Sequence, residues 1–172
     1  GQSWSPFRVG NTPLYSVSCS SADVCYSVGL GRVVSTLGLL VNTGHMIHNG
    51  LSCSSNNRCL MVGNYLFPES ENALIHAINN NVVDVDNFTD LGVKDRLNDI
   101  SCPDTQTCFI AGAGKGKNGY GGNSNQGSIF VSNNDGGSWQ NEEIPVTTKN
   151  LNSIDCPTAQ ICYTVGEAGL IL

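Results

Sequence analysis

Apolar and polar positions alternate along this chain in short runs, and the alternation recurs in four copies. They read LYSVSCSSADVCYSVG, HNGLSCSSNNRCLMVG, LNDISCPDTQTCFIAG and LNSIDCPTAQICYTVG. Two residues before the first cysteine stand Val17, Leu51, Ile100 and Ile154; after the second stand Tyr26, Leu60, Phe109 and Tyr163. Val28, Val62, Ala111 and Val165 follow, then Gly29, Gly63, Gly112 and Gly166. A period of two on both sides of a turn-forming stretch (SSADV, SSNNR, PDTQT, PTAQI) predicts a hairpin in each copy.

Downstream of each hairpin lies a third apolar run: GRVVST at 31–36, ALIHAI at 73–78, GSIFVS at 127–132 and GLIL at 169–172. A fourth follows in three units, as LLVNT, VVDVDNF and SWQNEEI. Four antiparallel strands per repeat predict an all-β propeller of four blades. The blades are expected over about 10–47, 48–89, 90–145 and 146–172 plus 1–9, in a single domain over 1–172. The last unit has no fourth strand of its own, whereas GQSWSPFRV at 1–9 reads as a fourth strand with half its turn. First cysteines of successive units are 34, 49 and 54 residues apart, and the step from Cys156 round through both termini to Cys19 is 35. That match predicts a ring closed by the N-terminal strand, which would also cover exposed sheet edges. The same strand exchanged with a neighbour would give a homodimer.

The eight cysteines fall as Cys19/Cys25, Cys53/Cys59, Cys102/Cys108 and Cys156/Cys162, each pair with five residues between. Zinc arms have shorter spacings. Four identical hairpin spacings point to four local disulfides, each contributing roughly 2 kcal/mol by loop closure. They imply an oxidising compartment, secreted or periplasmic. Charged residues are only 13% of the 172, with a formal charge of −6 and no Lys/Arg cluster. Nucleic acid is thereby disfavoured as a partner, and no apolar run has the length of a membrane span.

Residues 132–139, SNNDGGSW, resemble the Asp-box S-x-D-x-G-x-T-W, with Asn134 for the Asp and Ser138 for the Thr. The run L-x-x-I-x-C-x5-C-Y-x-V-G-x-x-G-x-I is similar to Asp-box (BNR-type) propeller repeats of the photosystem II stability/assembly factor-like family. The resemblance spans all four units and implies a propeller. It also implies that the polar side chains of 132–139 staple their turn and that Trp139 packs between sheets, away from the usual ligand face.

Asp-box sialidases need an arginine triad, but Arg8, Arg32, Arg58 and Arg96 stand at unrelated repeat positions. The pairs Glu69/Glu71 and Glu142/Glu143 read as solvated acids rather than a glycosidase dyad. GKGKNG at 114–119 lies between strands and lacks the helix that a phosphate loop requires. His45-x-x-His48 lacks a third zinc ligand. Asn87-Phe88-Thr89 is a glycosylation sequon. No cofactor is implied.

Two loops on the expected ligand face are enlarged, NYLFPESEN at 64–72 and AGKGKNGYGGNSNQ at 113–126. They are either a recognition surface or tolerated insertions. The first reading assigns ligand binding to Tyr65, Phe67, Glu69, Lys115, Lys117 and Tyr120. It describes a non-catalytic module for a protein or glycan; a structural piece of a larger propeller is the alternative.

Overall fold

The computed structural model of the chain describes residues 8–55, 58–65, 72–91, 93, 96–114, 126–145 and 149–172. Among them the protein is all β, with one 3-10 turn at Glu167–Gly169. Strands β1 (Leu14–Cys19), β2 (Cys25–Ser35), β3 (Leu40–Ser55), β4 (Arg58–Tyr65), β5 (Ala73–Asn79) and β6 (Val82–Asp90) form one antiparallel sheet in chain order. Strands β7 (Arg96–Ser101), β8 (Cys108–Gly114), β9 (Gln126–Ser132) and β10 (Gln140–Asn141) form a second, and β11 (Leu151–Thr158) with β12 (Ile161–Gly166) a third.

The four sequence repeats map onto this order. In the first, β2 folds back on itself, so that the Thr36 N–H donates to the Cys25 carbonyl. The bend is at Gly31, whose φ is 65° and where a Cβ would lie 2.6 Å from the Gly44 carbonyl oxygen. Strand β3 then runs on unbroken, as fourth strand of unit one and first strand of unit two, which merges both units in one sheet. Unit two comprises the rest of β3 with β4, β5 and β6; its outer hairpin turns at Asn80 and Asn81, both at positive φ. That is the two-residue turn whose twist matches antiparallel strands. Unit three is β7 to β10. Unit four is β11, β12 and a short return in which Ile171 bridges Val165, and Thr164 and Leu172 exchange backbone hydrogen bonds.

Each hairpin carries its disulfide: Cys19–Cys25, Cys53–Cys59, Cys102–Cys108 and Cys156–Cys162, with Cα–Cα distances of 3.9 to 4.1 Å. The glycine four residues past the second cysteine recurs for a steric reason. A Cβ on Gly29, Gly63, Gly112 or Gly166 would sit on the carbonyl oxygen of Pro13, Ile47, Arg96 or Asn150 respectively, on the paired strand. Each first strand is also bulged at an equivalent place, skipping Tyr15, Asn49, Asn98 or Asn152.

The bulge re-aims its residue, and successive units are joined by it. Asn49 donates to the Leu97 carbonyl at 2.8 Å, and Asn98 donates to the Leu151 carbonyl at 2.6 Å. Three residues on from the bulge, a serine makes a second polar tie across the same seam. The backbone N–H groups of Cys53, Cys102 and Cys156 donate to the Oγ of Ser18, Ser52 and Ser101 at 3.0 to 3.1 Å. Between these ties successive units pack against one another. Tyr26, Val28 and Val33 pack with Leu51 and Met61; Leu60, Val62 and Ile75 pack with Leu97, Ile100 and Ile110; Ala111 packs with Leu151 and Ile154.

The expected ring closure is not what the described residues show. No strand pairing among them joins β1 to β11 or β12. Arg8 and Val9 lie outside any strand, and the Val9 carbonyl accepts instead from Arg32 Nη1 at 3.3 Å. Trp4 and the rest of 1–7 lie outside the described residues.

Candidate functional site

The strand order sorts the connections onto two sides. On one lie the disulfide turns and the SNNDGGSW turn. Ser132 Oγ accepts from the Gly136 N–H at 2.9 Å and donates to Asn134 Oδ1 at 3.0 Å; that same Oδ1 accepts from the Ser138 N–H at 2.8 Å. The geometry places Asp135 and Gly136 at positive φ. Trp139 packs against the core between units two and three, as its motif implied. Asp135 also forms an ion pair with Arg58 at 2.7 Å, while the Asp135 N–H donates to the Gln106 carbonyl. Arg58, at the start of β4, is thus a strut between turns of neighbouring units. In the turn of unit three, Asp104 Oδ1 accepts from the Gln106 and Thr107 N–H groups, and those bonds hold its carboxyl below the usual range.

On the other side lie the strand ends that flank the two long connections, Tyr65 and Ala73 in unit two and Gly114 and Gln126 in unit three. Of the six residues assigned to ligand binding, Tyr65 is described; Phe67, Glu69, Lys115, Lys117 and Tyr120 lie outside the described residues. Tyr65 closes β4 half-buried, with its ring edge-on to Phe88 of β6 at 6.3 Å between centroids. Phe88 in turn lies 5.7 Å from the ring of His76 on β5. Strand pairing makes this cluster, since His76 stands opposite Phe88.

Behind it sits a pair that sequence reading missed. His48 Nε2 and His76 Nδ1 are 3.4 Å apart and both rings are buried. Burial, with the neighbouring His76 adding to it, pushes His48 down to about 3. Burial lowers His76 too, against smaller opposing effects of a backbone hydrogen bond at Val85 and of Asp84. His45 and His48 are not brought together: His45 is exposed, and three residues along a strand turn to the opposite face. Among the described residues no group of three or more His, Cys, Asp or Glu is placed to hold a metal.

A groove of about 610 Å³ opens between units three and four. Phe109, Ile129, Val131 and Leu172 contribute apolar lining, and the exposed Glu142 and Glu143 also line it. It lies where unit four has only a short third strand. Glu69 and Glu71 lie outside the described residues, as does 115–119 of the glycine-rich stretch. Asn87 of the sequon is exposed on β6. No described helix is long and apolar enough to cross a membrane.

Four disulfides, with every cysteine paired, point to an oxidising environment outside the reducing cytosol. No protein-family model matches the chain, and no curated protein matches it. Among solved structures, the chain is similar to one described as "YCF48 bound to D1 peptide", at 10% identity and a TM-score of 0.43. The match covers 93% of this chain and 36% of that one, so the chain spans little more than a third of its length.

Proposed function

We propose that the chain is a non-catalytic binding module of the propeller type, its four units being blades, that works in a secreted or periplasmic setting. Its ligand is a protein or a glycan, recognised on the side of the loops that carry Tyr65, Phe67, Glu69, Lys115, Lys117 and Tyr120. The observation that supports this reading is the aromatic platform at the root of the first loop. Tyr65 is held edge-on by Phe88, which remains 39% exposed although it belongs to a paired strand. Rigid aromatic surface of that kind is what protein and sugar ligands pack against, at low entropic cost.

The test is a pull-down from cell-envelope or host extract, with bound proteins identified by mass spectrometry and glycans by array. Replacing Tyr65 and Phe88 by Ala should lower retention of the ligand at least tenfold. Retention unchanged by that pair would place recognition elsewhere. A second reading, a structural piece of a larger or strand-exchanged propeller, is favoured by the exposure of Val17 on β1 and Tyr163 on β12.

A further inference from the structure

The three internal seams follow one rule, and it can be carried to the two ends. Side chains one and three residues after the second cysteine face the next unit: Tyr26 and Val28, Leu60 and Val62, Phe109 and Ala111 all pack into it. Side chains two and five residues before the first cysteine face the preceding unit: Ile100 and Leu97, then Ile154 and Leu151, are buried there. Unit four presents the equivalent forward residues, Tyr163 and Val165, at 59% and 45% exposure. Unit one presents the equivalent backward residues, Val17 and Leu14, at 65% and 42%. The outward faces of units one and four therefore carry the two halves of one seam, and both are exposed in this chain.

The polar ties extend in the same way. Asn152 occupies the bulge position from which Asn49 and Asn98 reach the next unit, and it is exposed. Asp155, also exposed, occupies the position of Ser18, Ser52 and Ser101. The acceptor and donor they would meet on unit one are the Leu14 carbonyl and the Cys19 N–H. A carboxylate accepts a backbone N–H as a serine hydroxyl does, and more strongly. Ring closure within one chain would bury Val17 and Tyr163, contrary to their exposure.

We propose that the unit-four face of one molecule docks on the unit-one face of a second copy, head to tail, continuing the internal seam. Such a contact is heterologous: each molecule offers one face of each kind, and two or more copies close a ring or extend a fibre. This inference does not depend on the loop-side reading of ligand binding.

The experiment exploits that asymmetry. Two variants of the full chain, Val17→Asp and Tyr163→Asp, each disable one face at an exposed position, with circular dichroism and disulfide mapping to verify folding. Light scattering after gel filtration, from micromolar to hundred-micromolar protein, should show wild type above single-chain mass and each variant at single-chain mass. Mixed in equal amounts, the variants should form a species of two chains and no larger, through the one pair of intact faces. Wild type that is monomeric throughout would overturn the proposal, whether because its own ends meet or because they stay open. Association of either variant alone would overturn it too, as would failure of the mixture to recombine, which is the behaviour of a two-fold symmetric contact.

Discussion

Acidification should destabilise this protein through His48, beginning as the pH falls below about 6.5. The His48 side chain is 1% exposed, faces the equally buried His76, and is held down to about 3 from an ordinary 6.5, by burial first and His76 second. In the unfolded chain it takes up a proton below pH 6.5, while in the fold it stays neutral to about 3. The stability contributed by keeping it neutral is thus complete above 6.5 and declines as the pH falls. Each pH unit below 6.5 costs about 1.4 kcal/mol for such a group, so pH 5 costs about 2 kcal/mol through His48 alone. His76, lowered in the same direction, adds to the slope. The perturbation is His48→Leu, and the assay is urea unfolding at intervals from pH 7.5 to 5. For a urea dependence of roughly 2 kcal/mol per molar, the wild-type midpoint should fall by about 1 M more than that of the variant over this range. Comparing slopes against pH removes the variant's own change in packing. Parallel profiles for the two proteins would refute the assignment, because they would mean that His48 titrates alike in both states.

Two further substitutions probe the repeat itself. Gly63→Ala places a methyl group on the Ile47 carbonyl oxygen, with backbone on both sides and no flexible neighbour to yield; it should cost more than about 3 kcal/mol in urea unfolding. Ser52→Ala removes the acceptor for the Cys102 N–H at the seam between units two and three, and should cost about 1 to 2 kcal/mol while leaving all four disulfides intact by mass spectrometry.

The elements that sequence alone made legible are those whose signals are local. A five-residue gap between cysteines, flanked by period-two alternation, specifies a hairpin with no knowledge of the remaining chain, and the disulfides follow from it. Third and fourth strands were legible for the same reason, down to the short Gln140–Asn141 strand. What escaped depends on register between distant strands. His76 meets His48 because β4 lies between their strands in one sheet, although 28 residues separate them in sequence. The spacing of His45 and His48 fits one face of a helix and opposite faces of a strand, so it said nothing of the partner that His48 finds on β5. The seam could have been found. Asn stands four residues before the first cysteine at 49, 98 and 152, and Ser one residue before it at 18, 52 and 101. Polar identity at fixed repeat positions, on strands otherwise apolar, was the available signal; its meaning required the bulge.

The exposed ends also bear on how stability is distributed along the arc. In a repeat array each unit gains from its own folding and from the seams it shares. Unit two has a seam on each side and four full strands; unit three has a seam on each side and a two-residue outer strand. Unit four has one seam, two full strands and a bridge at Ile171, and its outward face is solvent-exposed. Its hairpin is held chiefly by Leu151 and Ile154 against Ala111, by the ties from Asn98, Asp99 and Ser101, and by the Cys156–Cys162 bond. Asp99 Oδ2 accepts from the Ile154 N–H at 3.0 Å, a tie absent at the preceding seam, where Gly50 occupies that position and lets the next strand approach within 2.8 Å of where its Cβ would stand. The seam with the smaller buried apolar cluster is thus the one reinforced by a carboxylate. A disulfide matters most in the same place, because it limits the unfolded states of a segment whose packing is incomplete. The staple recurs in every unit, but the energetic demand on it is greatest in unit four, whose outward Tyr163 and Val165 are exposed.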